Sequence, residues 1–261
     1  MSPTTIAGIN SLPVNEKREI YARMIPPAIN KHFNLPVDFI DQDGNDLISF
    51  KYSPGTPSVE MTLKHKFDFL DPVQYGHLSD TVNGQVHVLL YILNDPESPR
   101  FNVDQLPDGQ KTVFGTKRRN IDAEFAALEA GLAPGQVRRG LRMLSHAIIS
   151  FENFVTSLKQ DIYFVEPLYY HNAAIFERYG FGYQKGRKLM ERIQSGFSPD
   201  GDLLAKLDDS NPFRQRRAAN SIRLRSWAIH DDILDEPFSE ITMYKYVGKS
   251  ANVHTCRSST W

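Results

Sequence analysis

Apolar residues follow a helical spacing through one long segment in the second half of the chain. The short apolar run that follows, at 161–166, stops at Pro167 and predicts a buried strand. A further helix is predicted over 171–179, ending at Gly180, because glycine readily takes the left-handed conformation of a helix end. The residues that recur at steps of three and four, and so share one face of the long helix, are Leu141, Leu144, Ile148, Phe151, Val155 and Leu158.

The first half of the chain carries the patterns of an antiparallel sheet. A helical pattern over 16–32 is interrupted by Pro26 and Pro27, which predicts a break there. Strands are predicted at 47–52, 59–64 and 85–93, with turn residues between them. Later in the chain, residues 182–220 are charged and helical in pattern, and strands are predicted at 221–229 and 241–247. Helices and strands therefore mix along the chain, which predicts an α/β protein of the α+β type.

A basic turn precedes the long helix. It begins at Ala133 and Pro134 and includes Arg138, Arg139 and Gly140. The first turn of a helix presents free main-chain N–H groups and a positive dipole end, both of which favour a phosphate. Arginine is unfavourable next to a helix N-terminus, so its presence here favours an anionic partner, and a solvated basic first turn stays open as the alternative.

The segment from the turn to residue 181 resembles the central part of the GNAT superfamily of N-acetyltransferases. That family has a strand, a glycine-containing turn around a pyrophosphate, a helix, a strand, and a helix ending in a Tyr-Glu-Lys-x-Gly-Phe element. Gly140 matches the first glycine of the turn, and Phe176–Phe181 matches the last element. The chain departs from the family at Val137, Arg142, Tyr169 and Phe176, the last of which replaces the tyrosine that protonates the leaving thiolate in many members.

The resemblance implies a mixed, mostly antiparallel central sheet with flanking helices. It implies one domain over 1–248 with a helical insertion at 182–220 that forms a lid or an interface. The tail at 249–261 is expected to be flexible, because chain ends often are. The implied co-substrate is acetyl- or acyl-coenzyme A. The residues implied to bind it are Leu132, Val137, Arg138, Arg139, Gly140, Leu141 and Arg142.

An acyltransferase of this kind needs a base that takes a proton from the acceptor amine. Glu124 and Glu129 precede the turn, where the family's strand often carries such a glutamate. The composition of this segment also favours a helix with exposed acids, and that alternative stays open. Tyr170 is the candidate for the proton donor that Phe176 cannot be.

Composition narrows the class of protein. The formal net charge of the 261 residues is −1, which argues against a general nucleic-acid binder. A single cysteine, Cys256, excludes an internal disulfide framework. The chain has no apolar run of membrane-spanning length and no signal-peptide pattern at 1–15, so a cytoplasmic protein without a membrane partner is expected.

The sequence is compatible with three functions. The first is acyl transfer from acyl-coenzyme A to a small amine or a peptide, by a monomer or a homodimer. The second is a GNAT-like protein that binds a ligand or partner without catalysis, which Phe176 favours. The third is a metal-dependent enzyme built on His65, His77 and His87 with nearby aspartates. No histidine pair has the spacing of a metal-binding helix, so no metal ligand is assigned.

Overall fold

The computed structural model describes residues 3–112, 118–256 and 259–261. In these residues the chain is a mixed α/β protein with a seven-stranded, mostly antiparallel sheet, which confirms the predicted class. The strands are β1 (Ile48–Lys51), β2 (Ser58–Leu63), β3 (Gln74–Asp80), β4 (Val86–Leu93), β5 (Ile162–Val165), β6 (Gly182–Lys185) and β7 (Thr242–Tyr246), in the order β1-β2-β3-β4-β5-β7-β6.

Helices precede and separate the strands along the chain. Four of the described helices precede the turn at Gly140, and the others follow it. They are α1 (Ile6–Asn10), α2 (Val14–Ala22), α3 (Pro27–Phe33), α4 (Ile121–Glu129), α5 (Leu144–Ser157), α6 (Tyr170–Arg178), α7 (Arg187–Gly196), α8 (Asp202–Ala205) and α9 (Ile222–His230).

The chain divides into two compact units. Unit 1 comprises residues 1–97, 140–166 and 244–250, and unit 2 comprises residues 98–139, 167–243 and 251–261. The single domain predicted over 1–248 includes parts of both units. Each unit has its own set of buried apolar side chains.

Unit 1 contains the antiparallel meander predicted from the first half of the chain. Strands β1 to β4 pair in sequence order, and alternate residues of β2 and β3 are buried, as a sheet with one covered face requires. Two prolines end the helical pattern as predicted, because α2 stops before Pro26 and α3 begins at Pro27. Buried side chains of β2 and α5 that belong to this core are Val59, Met61, Leu63, Phe151, Phe154 and Val155.

Unit 2 has a core built around Trp227. The indole of Trp227 is fully buried, and its Nε1 donates a hydrogen bond to the carbonyl oxygen of Leu132 at 2.8 Å. Phe213 packs against this indole at a ring-centroid distance of 5.3 Å. The buried residues of this cluster are Val103, Ala127, Leu128, Leu132, Phe213 and Trp227.

The strand predicted at 221–229 is a helix in the structure, and so is the segment before the turn for which the resemblance implied a strand and the composition a helix. Residues 222–229 lie in α9 (Ile222–His230), although the alternation of Ile222, Arg223 and Leu224 is typical of a strand. The side chain of Ser221 accepts a hydrogen bond from the N–H of Leu224 and starts the helix, whose buried face includes Trp227. The segment that carries Glu124 is likewise a helix, α4.

The segment predicted as a helical insertion, 182–220, contains β6, α7, α8 and a 3₁₀-helix at Arg216–Asn220. Met190 and Ile193 of α7 are fully buried, and Leu203 of α8 is buried with them. These side chains therefore contribute to the interior of unit 2.

The predicted flexible tail makes hydrogen bonds where the structure describes it. The N–H of Ala251 donates to the carbonyl oxygen of Gly180 at 2.9 Å, and the N–H of Thr255 donates to Glu177 Oε2 at 2.9 Å. Thr260 forms a parallel bridge with Ser221. Residues 257 and 258 lie outside the described residues.

Candidate functional site

Strands β4 and β5 of unit 1 are parallel neighbours that pair over a short stretch only. Their paired residues are His87 with Phe164 and Val88 with Val165, and the N–H of Glu166 donates to the carbonyl oxygen of Val88 at 3.0 Å. Strand β4 continues to Leu93, so its second half runs on without a paired residue on β5. We call this place, where β4 residues 89–93 leave β5, the β4–β5 opening.

A bulge in β4 lies at the start of the opening. On β3, His77 pairs with Leu90 and the next residue, Leu78, pairs with Val88, so Leu89 has no opposite residue. An extra residue of this kind bends its strand and often occurs beside an active site. The bend of β4 thus begins directly after its last residue paired with β5.

The second half of β4 is apolar but only half-buried. Residues 89–93, Leu-Leu-Tyr-Ile-Leu, show no alternation between buried and exposed positions, whereas Val86 and Val88 are buried. No described strand pairs with residues 89–93 on the β5 side of β4, so this edge offers main-chain hydrogen-bonding groups between apolar side chains. It is therefore suited to an extended ligand that carries both apolar and amide groups.

The turn at Gly140 lies close to the end of this strand. A Cβ atom on Gly140 would stand 3.4 Å from the carbonyl oxygen of Leu93. Helix α5 then begins at Leu144, and no side chain of the described residues caps it at Met143. The first N–H groups of the helix, and the positive end of its dipole, are therefore available to an anion. The exposed side chain of Arg142 precedes this helix end.

The other predicted cofactor-binding residues, Leu132 and 137–139, belong to unit 2. Their side chains contact other residues of that unit. Leu132 is buried beside Trp227, and Val137 packs against the same cluster. The guanidinium of Arg139 donates to the carbonyl oxygen of Ala130 at 3.2 Å, and that of Arg138 donates to the carbonyl oxygen of Ser98. These contacts give both arginine side chains a partner in the folded chain.

Glu124, one predicted base, is buried in α4 of unit 2. Its Oε2 accepts hydrogen bonds from Arg119, 2.8 Å from Nε and 2.6 Å from Nη2, and its Oε1 lies 3.1 Å from His230 Nε2. Burial by itself raises the pKa of Glu124, but the hydrogen bonds from His230 and Arg119 outweigh it and the pKa is lowered. A carboxylate with a lowered pKa and occupied oxygens is a weak base. Glu129 lies at the exposed end of the same helix.

The ion pairs around Glu124 continue to a second carboxylate. Arg119 Nη1 lies 2.8 Å from Asp231 Oδ1, and Arg214 Nε lies 2.9 Å from Asp231 Oδ2. Burial tends to raise the pKa of Asp231, but the hydrogen bonds from Arg119 and Arg214 lower it overall. This network joins α4 to α9 and the segment before it, which is the arrangement of a structural ion-pair cluster.

Tyr170, the predicted proton donor, is fully buried in unit 2. Its hydroxyl lies 3.0 Å from Cys256 Sγ and accepts a hydrogen bond from Arg225 Nη1 at 3.3 Å. Burial raises its pKa far above the ordinary value for tyrosine. Phe176, on the same helix, packs against Phe181 at a centroid distance of 5.0 Å.

The histidines of the first half make separate contacts in unit 1. His65 packs between the rings of Phe33 and Phe69, at centroid distances of 5.5 and 4.5 Å. His77 Nε2 lies 3.1 Å from Ser58 Oγ, and His87 Nε2 lies 3.3 Å from Glu166 Oε1. Across the part of the chain that the structure describes, no three His, Cys, Asp or Glu residues form a group suited to a metal ion.

The pair of His87 and Glu166 was missed by the sequence analysis as a candidate site. The last paired residues of β4 and β5 are Val88 and Val165. His87 directly precedes Val88 and Glu166 directly follows Val165, so the pair lies where the opening begins. The sequence offers Glu166 directly before Pro167 at the end of a predicted strand, but the pairing with His87 depends on the parallel register.

Comparison of the chain with models of known protein families, with curated proteins and with solved structures gives no match. Similarity therefore assigns the chain to no family. A function has to be inferred from the residues of the chain and their geometry. Among the described residues, none of the helices has the length and apolar character needed to cross a membrane.

Proposed function

We propose that the chain is an acyl-coenzyme A-dependent N-acyltransferase of the GNAT type. The observation that carries the proposal is the β4–β5 opening with the bulge at Leu89. The order implied by the GNAT resemblance is strand, turn, helix, strand and helix, and it corresponds to β4, the turn at Gly140, α5, β5 and α6. The chain departs from this order by residues 94–132, which come between β4 and the start of the turn at Ala133.

The opening suits the pantetheine arm of coenzyme A. This arm is extended and carries amide groups, which pair with a free strand edge in the same way as an added β-strand. The main chain of β4 after Val88 offers such an edge, and the half-buried apolar side chains of 89–93 flank it. Strand β4 would thus hold the arm and align its thioester end with the bulge.

The start of α5 suits the pyrophosphate of coenzyme A. The N–H groups of Leu144, Ser145 and His146 lie in the first turn of a helix that no described side chain caps. Anions bind such helix ends through the free N–H groups and the helix dipole. Arg142 adds a positive charge directly before the helix. Gly140 allows the turn to pass close to the end of β4, which joins the two halves of the proposed site within unit 1.

Acyl transfer from a thioester to an amine gains much of its rate from alignment of the two reactants. Strand β4 would supply that alignment, because its main chain holds the arm along a defined direction. The acceptor is an amine of unassigned structure, either small or part of a peptide.

A protein that binds acyl-coenzyme A without catalysis is the second candidate. Phe176 favours it, because phenylalanine cannot donate a proton to the leaving thiolate. The hydroxyl of Tyr170 is engaged with Cys256 and Arg225 in the interior of unit 2, which leaves it unsuited to replace that donor. The metal-dependent candidate has no support from the described histidines, which make separate contacts.

Ligand binding tests the proposal directly. Native mass spectrometry should detect a one-to-one complex with coenzyme A, and a ligand at about one hundred times its Kd should stabilise the protein by about 2.7 kcal/mol, seen as a rise in Tm of roughly 5 °C or more. Arg142→Glu should weaken binding about tenfold or more, because a charge-assisted contact to a phosphate is replaced by repulsion.

Lys66→Glu is the matched control, because it makes the same charge change at an exposed position of the loop between β2 and β3. It should leave the Kd for coenzyme A unchanged. Absence of any complex with the wild-type protein would reject the proposed function. Equal loss of affinity in both variants would reject the phosphate site at α5 and leave a general charge effect.

A further inference from the structure

His87 and Glu166 form a polar pair at the point where β4 and β5 separate. His87 is paired with Phe164 in the parallel register, and Glu166 follows β5 two positions later on the same face. The imidazole Nε2 of His87 lies 3.3 Å from Oε1 of Glu166. The N–H of Glu166 also donates to the carbonyl oxygen of Val88, which holds this glutamate beside β4.

We propose that His87 is the general base that accepts the proton of the acceptor amine, and that Glu166 is its positioning residue. This inference rests on the proposed acyltransferase function. The proposed base, His87, lies in unit 1, two residues before the bulge at Leu89 in β4. The thioester would end at this bulge.

The two ring nitrogens of His87 have different surroundings. Nε2 is buried, makes no hydrogen bond with a described residue, and lies 3.3 Å from the carboxylate oxygen Oε1 of Glu166. Nδ1 makes no hydrogen bond with any described residue, and the side chain as a whole is 18% exposed. The carboxylate 3.3 Å from Nε2 disfavours a lone pair on that nitrogen, which favours the tautomer with its proton on Nε2 and its lone pair on Nδ1. Nδ1 is therefore the atom that would take the proton.

The titratable groups that β2 and β3 carry on this face of the sheet are paired with other side chains. His87 lies opposite Ser79 on β3, and that face also carries His77, Tyr75 and Glu60. His77 contacts Ser58, and Glu60 accepts hydrogen bonds from the Tyr75 hydroxyl at 2.9 Å and from Lys51 at 3.0 Å. Glu166 is accordingly the charged group that acts directly on the imidazole.

The protonation state of His87 suits a base near neutral pH. Burial lowers the pKa of His87 below its usual value, and the negative charge of Glu166 opposes part of this effect. The ring is therefore neutral above its lowered pKa and becomes charged as the pH falls through it. Glu166 stabilises the imidazolium that forms when the ring takes a proton.

The proposed step forms an amide bond and breaks a thioester bond. The nitrogen lone pair of a neutral amine forms a bond to the thioester carbonyl carbon, and the C–S bond breaks with its electron pair on sulfur. The proton that the nitrogen loses goes to Nδ1 of His87, and the imidazolium then releases it to solvent. The thiolate takes a proton from solvent, so the products are an amide and free coenzyme A.

The test measures thiol release from acetyl-coenzyme A with a panel of amines, together with coenzyme A affinity by thermal shift. His87→Ala and His87→Gln should lower kcat about 100- to 10,000-fold, the usual range for loss of a general base. Both should keep the wild-type thermal shift with coenzyme A. His77→Ala, a matched change on the neighbouring strand, should keep activity within about threefold of wild type, because it removes no proton acceptor from the step.

The pH profile separates a base from a structural residue. Wild-type kcat should fall as the pH drops through the pKa of His87, and this acid limb should be absent in His87→Ala, with added imidazole restoring part of the rate. Glu166→Gln should move the acid limb to lower pH, because it removes the charge that raises the pKa of His87.

Activity of His87→Ala within threefold of wild type, with an unchanged acid limb, would overturn the assignment of the base. Coenzyme A binding without transfer to any amine of the panel would overturn it too, and would support the non-catalytic candidate. Failure of the wild-type protein to bind coenzyme A would instead reject the proposed function on which this inference rests.

Discussion

The carboxylate of Glu124 bonds to Arg119, whose Nη2 lies 2.6 Å from Glu124 Oε2, in the interior of unit 2. His230 lies 3.1 Å from the other carboxylate oxygen. Both oxygens are therefore engaged by groups that favour the charged form. This geometry assigns Glu124 to the stability of unit 2 and leaves the base of the proposed reaction to His87.

Glu124→Gln should lower stability more than turnover. Removal of one charge from a buried network leaves Arg119 without its closest partner, which costs about 3 kcal/mol. Denaturant unfolding followed by tryptophan fluorescence measures this cost in unit 2, because both tryptophans of the chain, Trp227 and Trp261, belong to that unit. The exposed Glu129→Gln is the control and should change stability by less than about 0.5 kcal/mol. A loss of turnover beyond 100-fold with unchanged stability would restore Glu124 as the base.

The stability of unit 2 should depend on pH through Glu124 and Asp231. Both pKa values are lowered in the folded chain, since hydrogen bonds from Arg119, His230 and Arg214 outweigh the effect of burial. The unfolded chain, whose carboxyl groups have pKa values of about 4, therefore binds more protons at low pH. The stabilisation is fully present above about pH 5 and is lost as the pH falls through the lowered values.

Denaturation midpoints at a series of pH values between neutral and acid check this dependence. Asp231→Asn should make the acid limb shallower, because one of the two linked carboxylates no longer titrates. Wild-type midpoints that stay constant down to the acid end of the series would contradict the prediction.

Tyr91→Phe should stabilise unit 1 or leave it unchanged. The hydroxyl of Tyr91 is buried and has no hydrogen-bond partner among the described residues, so its removal relieves a desolvation cost of about 1 kcal/mol. Tyr21→Phe is the matched control. The buried Tyr21 hydroxyl donates to Asn10 Oδ1 at 2.7 Å, and its loss should destabilise by about 1 kcal/mol or more. Thermal unfolding by circular dichroism compares the two variants, and a larger loss in Tyr91→Phe than in Tyr21→Phe would contradict the prediction.

The sequence predicted the elements whose apolar spacing is regular. The long helix appears as α5, the strand before Pro167 as β5, and the helix end at Gly180 as the end of α6. Strand β3 was missed because its buried positions are Gln74, Gly76 and Leu78, of which only the leucine gives an apolar signal. The prediction of a strand at 221–229 was wrong because the apolar residues at the start of α9 alternate with polar ones, as they do in a strand.

The proposed catalytic site was harder to predict than the elements that build it. The contact between His87 and Glu166 joins residues far apart in the chain and depends on which residues of β4 and β5 pair. The bulge at Leu89 arises from a shift in pairing between β3 and β4, and no local residue preference marks it. Glu124, in contrast, was predicted as the base from the sequence. In the folded chain it is buried in α4 and bonded to Arg119 and His230, and no local pattern in the sequence shows these contacts.

Gly135 meets Tyr169 at a distance that leaves no space for a side chain. A Cβ atom on Gly135 would stand 2.5 Å from Tyr169 Cε2, and the φ angle of Gly135 is +78°. The ring of Tyr169 stacks on His171 and contacts the edge of His230, both at 5.7 Å, so it has little freedom to move away. Gly135→Ala should therefore destabilise unit 2 through both backbone strain and overlap, by about 3 kcal/mol.

Gly131→Ala separates these two effects. Gly131 has a similar φ of +85°, but an added Cβ would meet nothing within 4 Å. This control should carry the backbone strain alone, about 1 kcal/mol. Denaturant unfolding followed by tryptophan fluorescence should thus show a larger loss for Gly135→Ala, and the additional replacement Tyr169→Ala should recover part of the difference. Equal losses of stability in the two glycine variants would contradict the prediction. They would show that the ring of Tyr169 moves to accept the added Cβ atom, so that its close contact with Gly135 does not stabilise the turn.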